Sequence, residues 1–238
     1  MDEKKSRSKG VVREEKLCEN LSFAAKEAFK RLRTNVVMKF PAEDSTCKII
    51  GVTSAQPSEG KSTVSINLAY SLAELGKKVL LLDADMRRSS IHQKLHLEKT
   101  PGLSDLLGTA NSISTAMRKY NSSKDSTSFD VIPGGNTPTN PSELLNSRRM
   151  ETLLRALAKV YDYIVIDLPP VGAVIDAVSV SRQVDGMLLV IRENNCPRGL
   201  FADAVSQLQE ANVDILGFVV NGAMEGAGKK YQYNNYYY

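Results

Sequence analysis

Cysteine is scarce in this chain of 238 residues. Cys18, Cys47 and Cys196 lie far apart, are odd in number and form no C-x-x-C pair. Neither a disulfide framework nor a zinc site is indicated, and a reducing compartment is expected. Histidine is scarcer still. His92 and His96 stand four apart and could share a helix face, but a third ligand is missing, so packing or surface roles are expected. Long apolar runs are also missing. No stretch reaches the ~18 residues that a membrane-spanning helix needs, and the N-terminus lacks the apolar centre of a signal peptide. Membrane association is therefore expected only at a surface or through a partner. Net charge is a mild +4, which gives no reason to expect nucleic acid as a partner. Part of it sits in the first sixteen residues, where Lys4, Lys5, Arg7, Lys9, Arg13 and Lys16 outnumber the acids. Residues 1–20 are expected to be a flexible arm, able to meet anionic lipid or an acidic partner.

What is present is a soluble α/β composition, 42% hydrophobic and 24% charged, with room for a sizeable core. Apolar runs rich in Val, Ile and Leu recur at 48–54, 78–85, 129–135, 161–170, 186–194 and 214–222. They do not alternate with polar residues, the pattern of strands buried on both faces. Helical patterns lie between them, at 62–76 with a Gly C-cap, at 142–160 with Ser142 as N-cap, and at 198–213. Residues 21–40 read as an amphipathic helix ahead of the first strand. Residues 109–128 read as a loop with a short helix near 112–120. Alternating strands and helices predict a doubly wound, mostly parallel sheet covered on both faces. A single domain over 21–222 is expected, followed by a mobile tail over 223–238.

The stretch "AQPSEGKS" at 55–62 follows a strand and opens a helix. Its spacing is that of the phosphate-binding P-loop, with Ala55 where the first glycine usually stands. Ala55, Gln56, Pro57, Ser58, Glu59 and Gly60 would wrap a nucleotide's phosphates. Converging backbone N–H groups and the helix dipole would hold the anionic oxygens. Gly60 permits close approach, Lys61 reaches the terminal phosphates, Ser62 offers a hydroxyl to Mg²⁺, and Thr63 meets the α-phosphate. Ala55 is costly only if its position requires φ > 0, and Pro57 stiffens a loop short of glycine.

Two buried runs end in carboxylates: "VLLLDADMR" in Asp83 and Asp85, "YIVIDLPP" in Asp167. Parallel strands share one C-terminal edge, where ligands bind. The three acids should gather there beside the phosphate loop. Asp167, Asp85 and Ser62 are candidate Mg²⁺ ligands, and Asp83, Asp85 and Lys61 are candidate catalytic groups. Asp83 and Asp85 should point the same way if the strand persists. Arg87 either assists with phosphate charge or sits in a salt bridge, and Asn221 at the end of the last strand is an adenine contact or a turn former.

This set of motifs resembles the bacterial tyrosine kinases of capsule and exopolysaccharide synthesis, within the broader MinD/ParA-like P-loop group. The resemblance spans about Glu27 to Tyr238 and includes "PSELLNS" and "DLPPVGAVIDA". It implies a Mg²⁺- and ATP-dependent protein-tyrosine kinase. Its E-x-x-R-x-x-R ring-interface helix has a counterpart in Glu27, Lys30 and Arg33, with lysine at the middle position. It implies three partners: further copies of the chain, a membrane adaptor that activates the kinase, and protein tyrosine substrates. The place of action it implies is the cytoplasmic face of the membrane. MinD- and ParA-type ATPases carry a lysine directly after the first motif residue, where this chain has Gln56. That substitution weighs against an ATPase switch that uses water as acceptor.

Five of the nine tyrosines, Tyr231, Tyr233, Tyr236, Tyr237 and Tyr238, crowd the C-terminus. The segment has no aliphatic residues with which to build a core. From Ala223 it could extend on the order of 50 Å. Its phenols ionise near pH 10 and need a base. By analogy with the family that base is Asp83, with Asp85 in reserve.

Overall fold

The computed structural model describes residues 17–41, 46–109, 112–172 and 180–222. Seven strands form one sheet in the order β3-β4-β2-β5-β1-β6-β7. They are β1 (Lys48–Ser54), β2 (Val79–Asp83), β3 (Arg118–Asn121), β4 (Ser128–Ile132), β5 (Tyr163–Asp167), β6 (Gly186–Arg192) and β7 (Ile215–Asn221). All neighbouring pairs are parallel except β3 with β4. The expected mostly parallel α/β architecture is what forms.

The lack of alternation in the strand sequences has a simple cause, because both faces are covered. Leu80, Leu82, Ile164, Ile166, Met187 and Leu189 join one hydrophobic cluster. Their neighbours Val79, Leu81, Tyr163, Val165, Leu188 and Val190 join the other. Successive side chains point to opposite faces, so each strand must be apolar throughout. On the second face lie α1 (Phe23–Val37) and α2 (Lys61–Ala73). On the first lie α4 (Leu103–Gly108), α6 (Pro141–Leu145), α7 (Arg148–Leu157) and α8 (Arg198–Glu210). Two single-turn helices, α3 (Ile91–Lys94) and α5 (Ile113–Ala116), are also among the described residues.

Several readings of the sequence need correction. The helix expected over 142–160 is two helices. Ser147 makes the break: its hydroxyl donates to the Leu144 carbonyl at 2.6 Å and accepts from Met150 N at 3.3 Å, so it closes α6 and caps α7. Pro141, not Ser142, opens α6. The loop expected over 109–128 contains the edge strand β3, held antiparallel by the stacking of Tyr120 on Phe129 with ring centroids 5.0 Å apart. The last strand is not buried on both faces. As an edge it leaves Phe218 and Val220 about half-exposed.

Residues 17–20, expected in the arm, join the folded body. Cys18–Asn20 form a 3₁₀ turn, with the Cys18 backbone N–H donating to Asn67 Oδ1 on α2 at 2.7 Å. The buried Glu19 carboxylate accepts from Tyr120 Oη at 2.7 Å and Ser123 Oγ at 3.0 Å. Residues 1–16 and the tail over 223–238, with all five of its tyrosines, lie outside the described residues. No helix among the described residues is long and apolar enough to cross a membrane.

Candidate active site

At the C-terminal edge of the sheet, β1 leads into the phosphate loop and the loop into α2. Ala55 does not adopt a positive φ, and its methyl joins a core cluster. The missing glycine therefore costs nothing there. The left-handed positions are Ser58 (φ +68°) and Gly60 (φ +91°). Local hydrogen bonds shape the turn. Ser54 Oγ donates to the Gln56 carbonyl at 2.8 Å, and the Gln56 backbone N–H donates to the buried Glu59 carboxylate at 3.1 Å. Outside contacts come from the ends of β6 and β7. Gln56 Nε2 donates to the Asn195 carbonyl at 2.6 Å, and Asn221 Nδ2 donates to the Glu59 carbonyl at 3.0 Å. Gly60 stands as the N-cap of α2, whose first-turn N–H groups have no partners within the helix.

Lys61 opens α2 with its ammonium 2.7 Å from Asp85 Oδ2 and 3.5 Å from Asp167 Oδ2. Ser62 Oγ donates to Asp167 Oδ2 at 2.6 Å. Ser65 Oγ lies 3.0 Å from Asp167 Oδ1. Asp167 is thus pinned from two sides at the end of β5. Burial pushes its carboxyl above the usual range, against the pull of Lys61 and Ser62. Burial would lower the Lys61 ammonium, but the negative charges of Asp167 and Asp85 outweigh it and carry its pKa upward.

Asp83 and Asp85 do not point the same way, because β2 ends at Asp83. Asp83 Oδ2 accepts from Ser89 Oγ at 2.8 Å and from the backbone N–H groups of Ser90 and Ile91, both at 3.2 Å. Its Oδ1 is buried without a hydrogen-bond partner among the described residues. Burial, then the charge of Asp167, raises the Asp83 pKa to about 7. Asp85 turns instead toward Lys61, and its Oδ1 accepts from Arg88 N at 3.0 Å.

The groups converge on a cleft of about 620 Å³. Pro57, Ser58, Gly60, Lys61, Ser62, Thr63, Asp85 and Asn221 line it, as do Arg87, Arg88, Lys94, Pro169, Pro170 and Arg192. Asp83 is not among the lining residues. Ser65, Ser89, Arg88, Lys94 and Arg192 were missed from the sequence. Only Ser65 carried a usable signal, lying three residues past Ser62 on the same face of α2. Arg87 donates to Ser142 Oγ at 3.2 Å. His92 Nδ1 lies 3.3 Å from Ser89 Oγ, as one more support of the loop around Asp83.

The cleft's donors fit a magnesium nucleotide. Among the described residues no three His, Cys, Asp or Glu side chains form a self-contained metal site. Mg²⁺ typically takes one or two carboxylates and completes its shell with water and phosphate oxygens. Asp85, Asp167 and Ser62 supply hard oxygens of that kind, and the Lys61 ammonium already stands between the two acids as a cation.

On α1, Glu27 and Lys30 pair with each other at 2.8 Å, both about half-exposed. Arg33 is turned inward. It donates to the Ser71 carbonyl at 2.7 Å and lies 3.5 Å from Glu74 Oε2. The three residues expected to share one role therefore divide between surface and interior.

A family model described as an AAA domain matches residues 47–210, from the start of β1 to the end of α8. The tyrosine-protein kinase YwqD of Bacillus subtilis strain 168 is 36% identical over 207 residues, covering 87% of this chain and 85% of YwqD. The tyrosine-protein kinase Etk of Escherichia coli K12 is 34% identical over 215 residues, covering 90% of this chain and 29% of Etk. The chain thus spans most of one relative and under a third of the other. The solved kinase domain of the E. coli tyrosine kinase ETK has a TM-score of 0.81 at 33% identity, covering 92% of this chain and 83% of that one.

Proposed function

The chain belongs to the bacterial tyrosine-protein kinase family, and from that premise we propose that it transfers the γ-phosphoryl group of ATP to tyrosines of its own C-terminal cluster, with Mg²⁺ as cofactor. The observation that carries this reading is the Lys61 ammonium between Asp85 and Asp167, with Ser62 bonded to Asp167, at the foot of a helix-capped phosphate loop. ATP's phosphates would meet Lys61, Thr63 and the loop's N–H groups. Asp85, Asp167 and Ser62 would hold Mg²⁺, which neutralises charge that builds on the phosphate oxygens.

In the transfer, a tyrosine hydroxyl oxygen bonds to the γ-phosphorus as the bond to the β-phosphate oxygen breaks. ADP leaves, and the phenol proton passes to a carboxylate. Asp83 is our assignment for that acceptor. Its Oδ1 has no hydrogen-bond partner among the described residues, and movement of the Ser89–Ile91 loop would open it to the cleft. Asp83→Asn should then bind Mg²⁺ and ATP normally yet lose transfer. Should it keep transfer while Asp85→Asn loses it, the role moves to Asp85.

The strand β7 ends at Asn221 on the cleft wall, so the tail is rooted beside the donor site. We assign the acceptor role to Tyr231, Tyr233, Tyr236, Tyr237 and Tyr238 of a neighbouring copy in a ring. Half-exposed Glu27 and Lys30 would form part of the contact. A membrane adaptor would recruit the kinase to the cytoplasmic face and activate it, and the process served would be capsular or exopolysaccharide synthesis and export. Gln56 is bonded within its own chain to the Asn195 carbonyl. It supplies no cationic reach toward a second nucleotide, which disfavours an ATPase switch. The deciding experiment incubates the chain with γ-labelled ATP, Mg²⁺ and candidate adaptor peptides. Label on tyrosine, lost when residues 223–238 are removed, is the expected result. Label released only as free phosphate would replace this reading with the water-acceptor one.

A further inference from the structure

Asn221 ends β7 on the cleft wall, and both ends of its side-chain amide are bonded within the chain. Nδ2 donates to the Glu59 carbonyl at 3.0 Å. Oδ1 accepts from Gly222 N at 2.9 Å, and the residue's own carbonyl accepts from Glu193 N at 2.9 Å. The contact with the phosphate loop is close. A Cβ built on Gly60 would fall 1.9 Å from Asn221 Nδ2. Only glycine leaves room for the amide to reach the Glu59 carbonyl, and only glycine adopts φ +91° without strain.

We infer that Asn221 is a positioning residue of the phosphate grip: by anchoring the Glu59 carbonyl it fixes the Glu59–Gly60 peptide from which the Gly60 N–H is presented. The reason is the planarity of the peptide unit. The carbonyl of one residue and the N–H of the next point in opposite directions across a trans bond. Holding the carbonyl on the β7 side therefore sets the direction of the amide hydrogen. That peptide leads into Gly60, the N-cap of α2, and its N–H belongs to the set that would converge on a phosphate. Without the anchor, the peptide could turn over at little steric cost, because glycine tolerates many backbone conformations. The same amide holds Gly222, so the loop that binds the donor and the root of the tail that carries the acceptor share one side chain.

This inference rests on the nucleotide reading above, and one of its two tests does not. In ligand-free Asn221→Ala, amide hydrogen exchange across residues 55–62 should quicken several-fold while the peptides of β1 and β5 stay unchanged. Unchanged exchange in the loop overturns the brace. The second test compares binding of Mg-ATP with binding of Mg-tripolyphosphate, which has neither base nor sugar. Both should weaken by the same factor, about tenfold, the scale of one lost hydrogen bond with an orphaned carbonyl. Weaker ATP with unchanged tripolyphosphate would make Asn221 a base contact and overturn the inference. An intact chain that binds neither ligand, with exchange still quickened in the variant, would sink the nucleotide reading and leave the loop anchor standing as a structural brace only.

Discussion

Gly60 and Lys61 are neighbours with opposite demands. Gly60 must be small, because its left-handed backbone faces the Asn221 amide. Gly60→Ala should fold but lose nucleotide binding by at least tenfold in titration calorimetry, since either the loop or Asn221 must move. Lys61 must be charged. Lys61→Met should cut transfer by about 10²–10³ in rate, the usual loss of one preorganised charge contact. The variant should also change the response to pH. Asp167 already stands above the usual carboxylate range through burial, and losing Lys61 raises it further. A carboxyl raised in the fold adds stability below its unfolded pKa and loses it as pH rises. Melting of the metal-free variant should therefore fall more steeply than wild type as pH rises above the ordinary carboxylate value of 3.8. At this scale the sequence was readable wherever residue type and spacing set position, as in Lys61, Ser62 and Asp167, which meet where the motifs place them. It was not readable for Asp83 and Asp85, whose directions depend on where β2 stops.

The 3₁₀ turn at Cys18–Asn20 binds the β3–β4 hairpin through Glu19, a contact across more than a hundred residues of sequence. Burial works to raise the Glu19 pKa, but hydrogen bonds from Tyr120 and Ser123 outweigh it and hold the carboxyl below its ordinary value of 4.5. Its stabilisation is therefore present at neutral pH and lost as pH falls below that value. Glu19→Gln should cost about 1.5–3 kcal/mol at pH 7, and the difference from wild type should shrink at pH 3.5 in chemical denaturation. Neither the turn nor β3 was legible in the sequence. Four residues, "RKYN", carry too little periodicity, and a carboxylate buried by a distant tyrosine leaves no local trace. The helices α1, α2 and α8 were legible, since long patterns with clear ends depend little on tertiary context. The division at Ser147 was hidden because its hydroxyl closes one helix while opening the next.

Across the whole molecule, α1 links the exposed surface to the C-terminal end of α2. Arg33 lies against the C-terminal turn of α2 through Ser71 and Glu74. Arg33→Ala should lower the melting temperature by a few degrees in dilute protein, at ~2–4 °C per kcal/mol for a chain of this size. Lys30→Glu should lower melting only slightly, through repulsion from Glu27, and act mainly on assembly mass, measured by light scattering. A Lys30→Glu variant that assembles as wild type would remove α1 from the proposed ring contact. The parallel sheet and its ligand edge were legible because six apolar runs and two motif-bearing strand ends agree on one topology. The exposed outer strand was not, because its composition matches that of the buried ones and only its place in the order sets it apart.

The place of Lys61 bears on how the proposed ligands would enter. Its ammonium, between Asp85 and Asp167, offsets one of their two negative charges. On the proposed reading, a bare nucleotide that drew Lys61 away would leave two acids facing each other, and a bare divalent ion would meet the ammonium between the same acids. Each ligand would make room for the other, so the pocket should respond strongly to the pair and weakly to either alone.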